Sequence, residues 1–189
     1  MRRVAVVGAG HVGLVSAACM ADRGVGVALV ERDKSRLQLL RKGRSPLYEP
    51  GLDDLLKRAA SSGRLGFFPN VKNALDGSEI IFVNVGTPAK PNGSIDLTQV
   101  EAASVDIGRA LKRIESYVLV VVRSTVLPGT TTDFVGSILS RYSGKRVGED
   151  YGLAMQPEFI REGSAVRDML SPERVVIGEF DERSGNVLE

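Results

Sequence analysis

The sequence predicts an α/β fold, with a doubly wound, mainly parallel β-sheet and helices on both faces. Short apolar runs alternate with helical patterns through nearly all of the 189 residues. Most of these runs are almost continuous in Val, Ile and Leu, as expected of strands that are covered on both faces. The alternation implies right-handed βαβ crossovers, which place the strands parallel to one another. A chain of this length can bury a substantial core.

Seven apolar runs are the predicted strands, and five longer segments with a helical pattern lie between them. In chain order the strands are 3–7, 26–30, 65–68, 79–85, 117–122, 151–155 and 174–178. The helices are 12–23, 34–42, 52–61, 97–114 and 130–142. Asn70 and Asp96 precede helical patterns and are predicted N-caps, because such side chains accept hydrogen bonds from the first turn. Residues 181–189 predict the first turns of a further helix.

The composition argues against nucleic-acid and membrane partners. Lys and Arg number 25 against 23 Asp and Glu, which gives a net charge of +2, and the basic residues do not cluster. No signal peptide is expected, because glycines interrupt the first apolar run too early for a spanning helix. Cys19 is the single cysteine, which excludes an internal disulfide and suits a reducing cytoplasm, the location that we expect. No metal site is predicted.

The segment VAVVGAGHVGL carries an informative glycine spacing. Gly8, Gly10 and Gly13 follow a predicted strand and open a predicted helix in the order G-x-G-x-x-G. Gly8 permits a tight turn, Gly10 lets the backbone approach a pyrophosphate, and Gly13 lets helix and strand pack closely. The helix N-terminus adds free N–H groups and the positive end of its dipole. A turn that merely packs a helix on a sheet is the alternative, but this order of elements favours a Rossmann-like dinucleotide site.

An acidic residue completes the dinucleotide pattern. Glu31 ends the second predicted strand, where a ribose-binding carboxylate is expected. Such a carboxylate accepts the adenosine ribose hydroxyls and repels a 2′-phosphate, so NAD is favoured over NADP. Arg32 and Arg36 leave NADP open, because either guanidinium could reach a phosphate. His11, the only histidine, is interpreted as a surface or packing residue, and Cys19 as a small core residue.

Polar segments follow the fourth, fifth and sixth predicted strands. They are NVGTP (84–88), VRSTVLPGTT (122–131) and QPEFIREG (156–163). In a doubly wound sheet the ligand binds beyond the carboxyl ends of the strands, so these segments are expected to meet beside the glycine turn. Taken singly, Thr87 and Ser124 could cap turns and Glu158 could be a solvated loop acid. Taken together, at one edge of the sheet, they favour a functional site.

Five motifs in this order give the chain a recognisable resemblance over almost its whole length. They are VAVVGAGHVGLVSAACMADRG, GRSPLYEPGL, VNVGTP, RSTVLPGTT and PEFIREGSA. The chain resembles the NAD-binding domain of the UDP-glucose/GDP-mannose 6-dehydrogenase family. The resemblance implies oxidation of the primary C6 hydroxyl of a nucleotide sugar to a carboxylate by two NAD molecules in succession, through an aldehyde and a thioester. UDP-glucose is the expected substrate and GDP-mannose the alternative; a non-catalytic NAD-binding module is the alternative of another class.

The resemblance also implies roles for individual residues. Thr125 would position a water or proton beside the reacting carbon, and Glu158 would act as general base in thioester hydrolysis. The implied cofactor-binding residues are Gly8, Gly10, Val12, Gly13, Glu31, Arg36, Gly86, Thr87, Ser124, Thr125 and Glu162. The implied substrate-binding residues are Glu158, Phe159, Ile160, Arg161 and Glu162.

Two departures from the family pattern qualify this assignment. Gln156 stands before PEF, where family members commonly have Asn or Ser, and its longer amide could reshape the approach to Glu158. The thioester chemistry of the family needs a cysteine in a second domain, and Cys19 cannot replace it because its helix leads away from the sugar. We therefore expect residues 1–180 to form the NAD-binding domain, 181–189 to begin a connecting helix to a second domain absent from this chain, and this chain alone to be inactive. A homodimer is expected for the complete enzyme.

Overall fold

The computed structural model describes residues 3–189 and contains a seven-stranded sheet in the order β3-β2-β1-β4-β5-β6-β7. The first six strands in the chain pair in parallel, and β7 runs antiparallel to β6. The predicted fold class is thereby confirmed. The strands are β1 (Arg3–Val7), β2 (Gly26–Val30), β3 (Leu65–Phe68), β4 (Ile80–Val83), β5 (Leu119–Val122), β6 (Gly152–Met155) and β7 (Gly178–Glu179).

Helices connect the strands and cover both faces of the sheet. They are α1 (His11–Asp22), α2 (Lys34–Arg41), α3 (Leu52–Ser61), α4 (Val71–Ala74), α5 (Thr98–Leu111), α6 (Ser137–Ser143), α7 (Ala165–Leu170) and α8 (Glu182–Leu188). Each of the five helices predicted from their pattern is present, with ends that differ by a few residues. The helix predicted at 130–142 begins as a π-helix over Thr130–Gly136, which leads directly into α6.

Alternate residues of the central strands enter two separate apolar cores. Val4 and Val6 of β1 face the core formed with α1 and α3, whereas Ala5 and Val7 face the core formed with α4, α5 and α6. Both sets are buried, which explains why the strands read as continuous apolar runs. Cys19 is buried in the first core, as predicted. The same alternation decides which face each residue beyond a strand end will occupy.

The seventh predicted strand, 174–178, is wrong in extent and direction. Only Gly178 and Glu179 pair with β6, and they do so in the antiparallel sense. Val175 and Val176 stay 60% and 44% exposed. An apolar run of this length is typical of a covered strand, but here the run lies before a two-residue edge strand and its side chains stay exposed.

The predicted caps are present with one shift in register. Asn70 accepts a hydrogen bond from the Asn73 N–H at 3.2 Å and caps α4. Asp96 accepts from the Thr98 N–H at 2.9 Å, but α5 begins at Thr98, so Asp96 lies one position before the N-cap. The helix predicted at the end of the chain is α8, which Asp181 caps by accepting from the Ser184 N–H at 2.8 Å. Within residues 3–189, no helix has the length and apolar character needed to cross a membrane.

Candidate functional site

The turn between β1 and α1 is one that only glycine permits. Gly8 has a φ of 104°, and a Cβ there would lie 2.5 Å from the carbonyl oxygen of Asn84. A Cβ on Gly13 would lie 1.9 Å from the Gly8 carbonyl oxygen, so α1 packs directly against the turn. Gly10 faces open space, since no other part of residues 3–189 outside its own turn comes within 4 Å of a Cβ built there. The glycines thus have the two packing roles predicted for them, and they leave room above the turn.

The N-terminus of α1 is free to receive an anion. Its N-cap residue, Gly10, has no side chain to satisfy the first N–H groups, and the first turn holds no acidic residue. Unpaired N–H groups and the helix dipole favour a negatively charged ligand at this position. Val12 is the second residue of the helix and is half-buried. A cleft of about 530 Å³ lies here, lined by the turn, the end of β2 and the start of α5. These features fit the pyrophosphate of a dinucleotide.

Glu31 and Arg36 lie together at the end of β2. The Glu31 carboxylate is 3.1 Å from Arg36 Nε and accepts the Asp33 N–H at 2.9 Å. Arg36 Nη2 donates to the carbonyl oxygen of Ala9 at 2.7 Å, which ties α2 to the glycine turn. Arg32 forms an ion pair with Asp106. One arginine is therefore held beside the acid and the other pairs with α5, while Glu31 lines the cleft as a ribose-binding carboxylate would.

The loops after β4 and β5 bond to each other at the carboxyl edge of the sheet. Ser124 Oγ donates to the carbonyl oxygen of Val85 at 2.7 Å, and Thr87 Oγ1 donates to that of Thr125 at 2.8 Å. Ser124 is buried by this contact, whereas Thr125 is exposed. Gly86 lies beside Gln99 and lines the cleft at the glycine turn, which we call the cofactor cleft. Strand order places these loops between the glycine turn after β1 and the segment after β6.

The segment 156–163 lines a second cleft, of about 470 Å³. Glu158 is half-buried, and its carboxylate accepts the Ile160 N–H at 2.8 Å. Phe159 is 44% exposed and lies against the guanidinium of Arg174. Gln156 and Pro157, which directly follow β6, line the same cleft, so this cleft lies at the carboxyl edge of the sheet.

Arg161 is engaged with α7. Its Nε and Nη2 each donate to the Asp168 carboxylate at 2.9 Å. These bonds, and a further one from the Ser164 hydroxyl, hold the pKa of Asp168 far below its usual range. Arg161 therefore braces the segment locally, although it also lines the second cleft.

Arg123 is the buried guanidinium that shares the cleft with Glu158. It is 7% exposed, its Nη1 donates to the Ser16 hydroxyl at 3.0 Å, and it stacks over the Phe82 ring at 5.6 Å. Burial lowers the pKa of Arg123, and the negative charge of Glu158 partly offsets this. It forms no ion pair within residues 3–189. Sequence reasoning missed Arg123; an arginine that directly follows a fully buried strand was the available signal.

Glu49 connects the start of α1 to the end of the segment 156–163. Its side chain is fully buried and accepts the N–H groups of Gly163 and Ala165, each at 2.8 Å. His11 Nε2 lies 3.0 Å from the same carboxylate without the alignment of a hydrogen bond, and His11 Nδ1 lies 4.0 Å from Glu162. The predicted packing role of His11 agrees with these contacts. Glu49 was not predicted as a site residue, although it lies within the YEPGL motif.

Asn84 is a further residue that the sequence did not single out. It follows β4 on the face toward α1, is 7% exposed and lines the cofactor cleft. Neither polar atom of its carboxamide has a hydrogen-bond partner among residues 3–189. Buried carboxamides are usually paired, so this orphaned group is a second feature that fits a polar ligand beside the glycine turn.

Nine of the predicted site residues line one of the two clefts, and Val12, Gly13, Thr87, Ser124, Thr125 and Glu162 line neither. Glu162 is exposed and lies near His11. Thr87, Ser124 and Thr125 stand between the two clefts in strand order. The residues that line the cofactor cleft are Gly8, Gly10, Glu31, Arg36 and Gly86, and those that line the second cleft are Glu158, Phe159, Ile160 and Arg161.

A sequence model described as the NAD binding domain of the UDP-glucose/GDP-mannose dehydrogenase family matches residues 2–189. The chain belongs to this family. NAD is accordingly the cofactor of this domain, and the resemblance carried by the five motifs is confirmed. The glycine turn, the free N-terminus of α1 and the carboxylate at the end of β2 are the features that suit this cofactor.

Relatives with two different substrates are almost equally similar to this chain. GDP-mannose 6-dehydrogenase of Pseudomonas savastanoi pv. phaseolicola is 41% identical over 187 residues, which is 99% of this chain and 43% of the relative. UDP-glucose 6-dehydrogenase of Haloferax volcanii is 40% identical over 185 residues, which is 98% of this chain and 43% of the relative. The chain therefore spans less than half the length of these relatives.

Solved structures of a GDP-mannose and of a UDP-glucose dehydrogenase are also almost equally similar to this chain. The GDP-mannose dehydrogenase of Pseudomonas aeruginosa, solved as a ternary complex, superimposes with a TM-score of 0.97 at 41% identity, over 100% of this chain and 43% of that one. The UDP-glucose dehydrogenase of Pyrobaculum islandicum gives a TM-score of 0.94 at 42% identity, over the same shares of the two chains.

Proposed function

We propose that this chain is the cofactor-binding part of an NAD-dependent nucleotide-sugar 6-dehydrogenase. The observation that carries the proposal is the meeting of two segments at one edge of the sheet. The glycine turn opens the cofactor cleft. Glu49 holds Gly163, the last residue of the segment carrying Glu158, and Ala165, the first residue of α7, beside the first residue of α1. A dinucleotide and a second ligand bound there would be neighbours, as hydride transfer requires.

The cofactor residues have distinct tasks in this proposal. Gly8, Gly10, Val12 and Gly13 shape the pyrophosphate site, and Glu31 accepts the ribose hydroxyls. Arg36 holds Glu31 and the glycine turn together. The remaining proposed cofactor contacts are Gly86, Thr87, Ser124, Thr125 and Glu162. When bound, NAD accepts the hydride that leaves the substrate carbon.

Glu158 and Thr125 are the proposed catalytic residues. The Ile160 N–H orients the Glu158 carboxylate at the rim of the second cleft, which suits a general base for hydrolysis. Thr125 is exposed at the end of β5, and its carbonyl oxygen is fixed by Thr87, so its hydroxyl can position a water or proton. The proposed sugar contacts are Phe159, Ile160, Arg161 and Glu162, together with Glu158.

UDP-glucose and GDP-mannose both remain candidate substrates. The sequence favoured UDP-glucose, whereas the GDP-mannose enzymes named above are as similar to this chain as the UDP-glucose enzymes are. We propose the chemistry that both enzymes share, which is oxidation at C6 of a nucleotide sugar. Titration with each nucleotide sugar distinguishes the two candidate substrates. The proposal includes a longer enzyme that dimerises, in which residues 1–180 are the NAD-binding domain and 181–189 begin the connecting helix.

A non-catalytic NAD-binding module is the second candidate from another class. Such a module needs the glycine turn and Glu31 but has no use for a half-buried Glu158 after β6 or an exposed Thr125 after β5. The presence of both residues at the carboxyl edge of the sheet favours the enzyme.

Isothermal titration calorimetry of this chain tests the proposal. NAD should bind at least about tenfold more tightly than NADP, because Glu31 repels a 2′-phosphate. With NAD saturating, UDP-glucose or GDP-mannose should bind weakly, and the tighter of the two identifies the substrate. Glu158→Gln is the matched variant; it should leave NAD affinity within about twofold, because Glu158 lines the second cleft and not the cofactor cleft and the substitution keeps the size of the side chain.

Each outcome of this titration has a meaning. Binding of NAD with no response to either nucleotide sugar would favour the non-catalytic module. No heat with either dinucleotide would overturn the proposed cofactor site itself.

A further inference from the structure

Glu49 is a buried carboxylate to which the described part of the chain brings neither a lysine nor an arginine. Its side chain is fully buried, and within residues 3–189 no lysine or arginine pairs with it. Burying an ionised carboxylate is costly unless hydrogen bonds replace the lost water. Two backbone N–H groups do so, one on each carboxylate oxygen. A group that is costly to bury and serves no role in the proposed chemistry calls for another explanation.

The two bonds fasten a segment that otherwise makes mainly local polar contacts. Glu158 bonds to Ile160, and Arg161 bonds to Asp168, all within the same stretch of chain. Phe159, Arg161 and Glu162 are exposed. The bonds from Gly163 and Ala165 reach instead across 114 and 116 residues to Glu49. They fix the far end of the segment at the start of α7.

The same carboxylate contacts the helix that faces the cofactor. His11 is the first residue of α1, directly after Gly10, and its Nε2 lies 3.0 Å from Glu49. The other ring nitrogen lies 4.0 Å from Glu162. The His11 side chain is 20% exposed, so its ring is packed between the two acids and is largely covered. His11 is therefore the residue through which the first turn of α1 contacts the Glu49 carboxylate.

We propose that Glu49 is a positioning residue that couples the cofactor site to the substrate segment. This inference rests on the proposed function, because it takes the glycine turn as the cofactor site and Glu158 as part of the substrate site. His11 contacts the Glu49 carboxylate, and Glu49 holds Gly163 and Ala165, so a restraint on the first turn of α1 by a bound dinucleotide would reach the segment through these residues. Order at the cofactor site and order in the substrate segment are thereby coupled.

Amide hydrogen exchange with and without saturating NAD tests the coupling. In the wild-type chain, NAD should slow exchange of the Gly163 and Ala165 amides about fivefold or more, the lower end of usual coupling between sites. In Glu49→Gln the effect should fall below about twofold. This variant keeps the size of the side chain but presents an amide NH₂ group to one of the two backbone donors.

Two further variants separate coupling from general loosening. Asp53→Asn is the matched control, because Asp53 accepts the Ser45 N–H of the loop that carries Glu49 and, within residues 3–189, forms no hydrogen bond or ion pair with His11 or α7; it should retain the full NAD effect. His11→Ala leaves both backbone bonds to Glu49 in place and should lose the NAD effect. If Glu49→Gln does not fold, His11→Ala decides.

The inference and the proposed function fail in different ways. An equal slowing by NAD in wild type, Glu49→Gln and His11→Ala would overturn the coupling, as would no slowing in a wild-type chain that calorimetry shows to bind NAD. A wild-type chain that binds no NAD would overturn the proposed function instead.

Discussion

The glycine turn and the segment 156–163 flank the same edge of the sheet, but different forces fix them. In the turn, backbone contacts leave no choice: a Cβ at Gly13 would overlap the Gly8 carbonyl oxygen at 1.9 Å. The segment is held by hydrogen bonds to polar side chains. Glu49 accepts the Gly163 N–H, and Arg161 donates to Asp168. Steric constraints of the first kind are local in sequence, whereas the Glu49 contact spans 114 residues.

This difference teaches that the two halves of the site should respond differently to mutation. A change in the turn disturbs the packing of α1 on β1 and hence the fold. A change to Arg161 or Asp168 removes exposed hydrogen bonds of the segment, so it should alter binding or pH response more than stability. Substitutions on each side test this contrast.

Gly13→Ala should have the largest effect. The added methyl meets backbone, which cannot move aside, so the free energy of unfolding should fall by about 3 kcal/mol or more. Gly10→Ala is the matched variant, since nothing lies within 4 Å of its Cβ; its cost should stay below about 1 kcal/mol. It should nonetheless weaken NAD binding, because the methyl occupies the space above the turn. Urea unfolding and NAD titration measure both, and equal stability of the two variants would contradict the steric explanation.

Two substitutions of Arg123 distinguish the effect of its buried charge from the effect of its volume. Arg123→Met fills most of the same space without the buried charge, so the free energy of unfolding should change by less than about 1 kcal/mol. Arg123→Ala leaves a cavity and should cost about 2 kcal/mol. A loss in Arg123→Met as large as in Arg123→Ala would mean that the bond to Ser16 and the contact with Phe82 matter more than the cost of burying the guanidinium.

Asp168→Asn should have the smallest effect on stability and a distinct pH dependence. The hydrogen bonds from Arg161 lower the folded-state pKa of Asp168, so its contribution is present above the unfolded value of about 4 and is lost as pH falls through the folded value. The melting temperature of the wild type should exceed that of Asp168→Asn at pH 7, and the gap should close in strong acid.

Arg161→Gln tests the same bond from its other side. Its melting temperature should fall below that of the wild type by an amount that shrinks in strong acid, as for Asp168→Asn, because the substitution removes the main donor to the Asp168 carboxylate. A gap between wild type and either variant that stays constant down to pH 2 would assign the stabilisation to packing and not to the ionised carboxylate.

The features that depend on neighbours in sequence could be predicted. Apolar runs gave the central strands, the spacing of Gly8, Gly10 and Gly13 gave the turn, and Asn70 was recognised as a cap. Each of these signals rests on a local rule of backbone geometry or hydrogen bonding. Parallel order then placed the ends of β4, β5 and β6 at one edge.

The features that depend on distant partners could not be predicted. Nothing near Glu49 indicates that it accepts bonds from Gly163 and Ala165, and nothing near Arg161 selects Asp168 over solvent. Val175 and Val176 carry the opposite lesson, since their apolar run has strand character but both side chains are exposed. Side-chain pairing across the fold is set by the tertiary structure, which a single sequence does not encode locally.

An NAD titration of the ¹⁵N-labelled chain, followed by amide chemical shifts, tests most directly whether the strand-end loops and the glycine turn form one site. We expect shifts in the turn and, in the same titration, in the loops after β4, β5 and β6. The amides to follow are Gly8, Gly10, Gly13, Gly86, Thr87, Ser124, Thr125, Glu162 and Gly163. Shifts confined to the turn and the end of β2, with the three loops unchanged, would contradict a shared site.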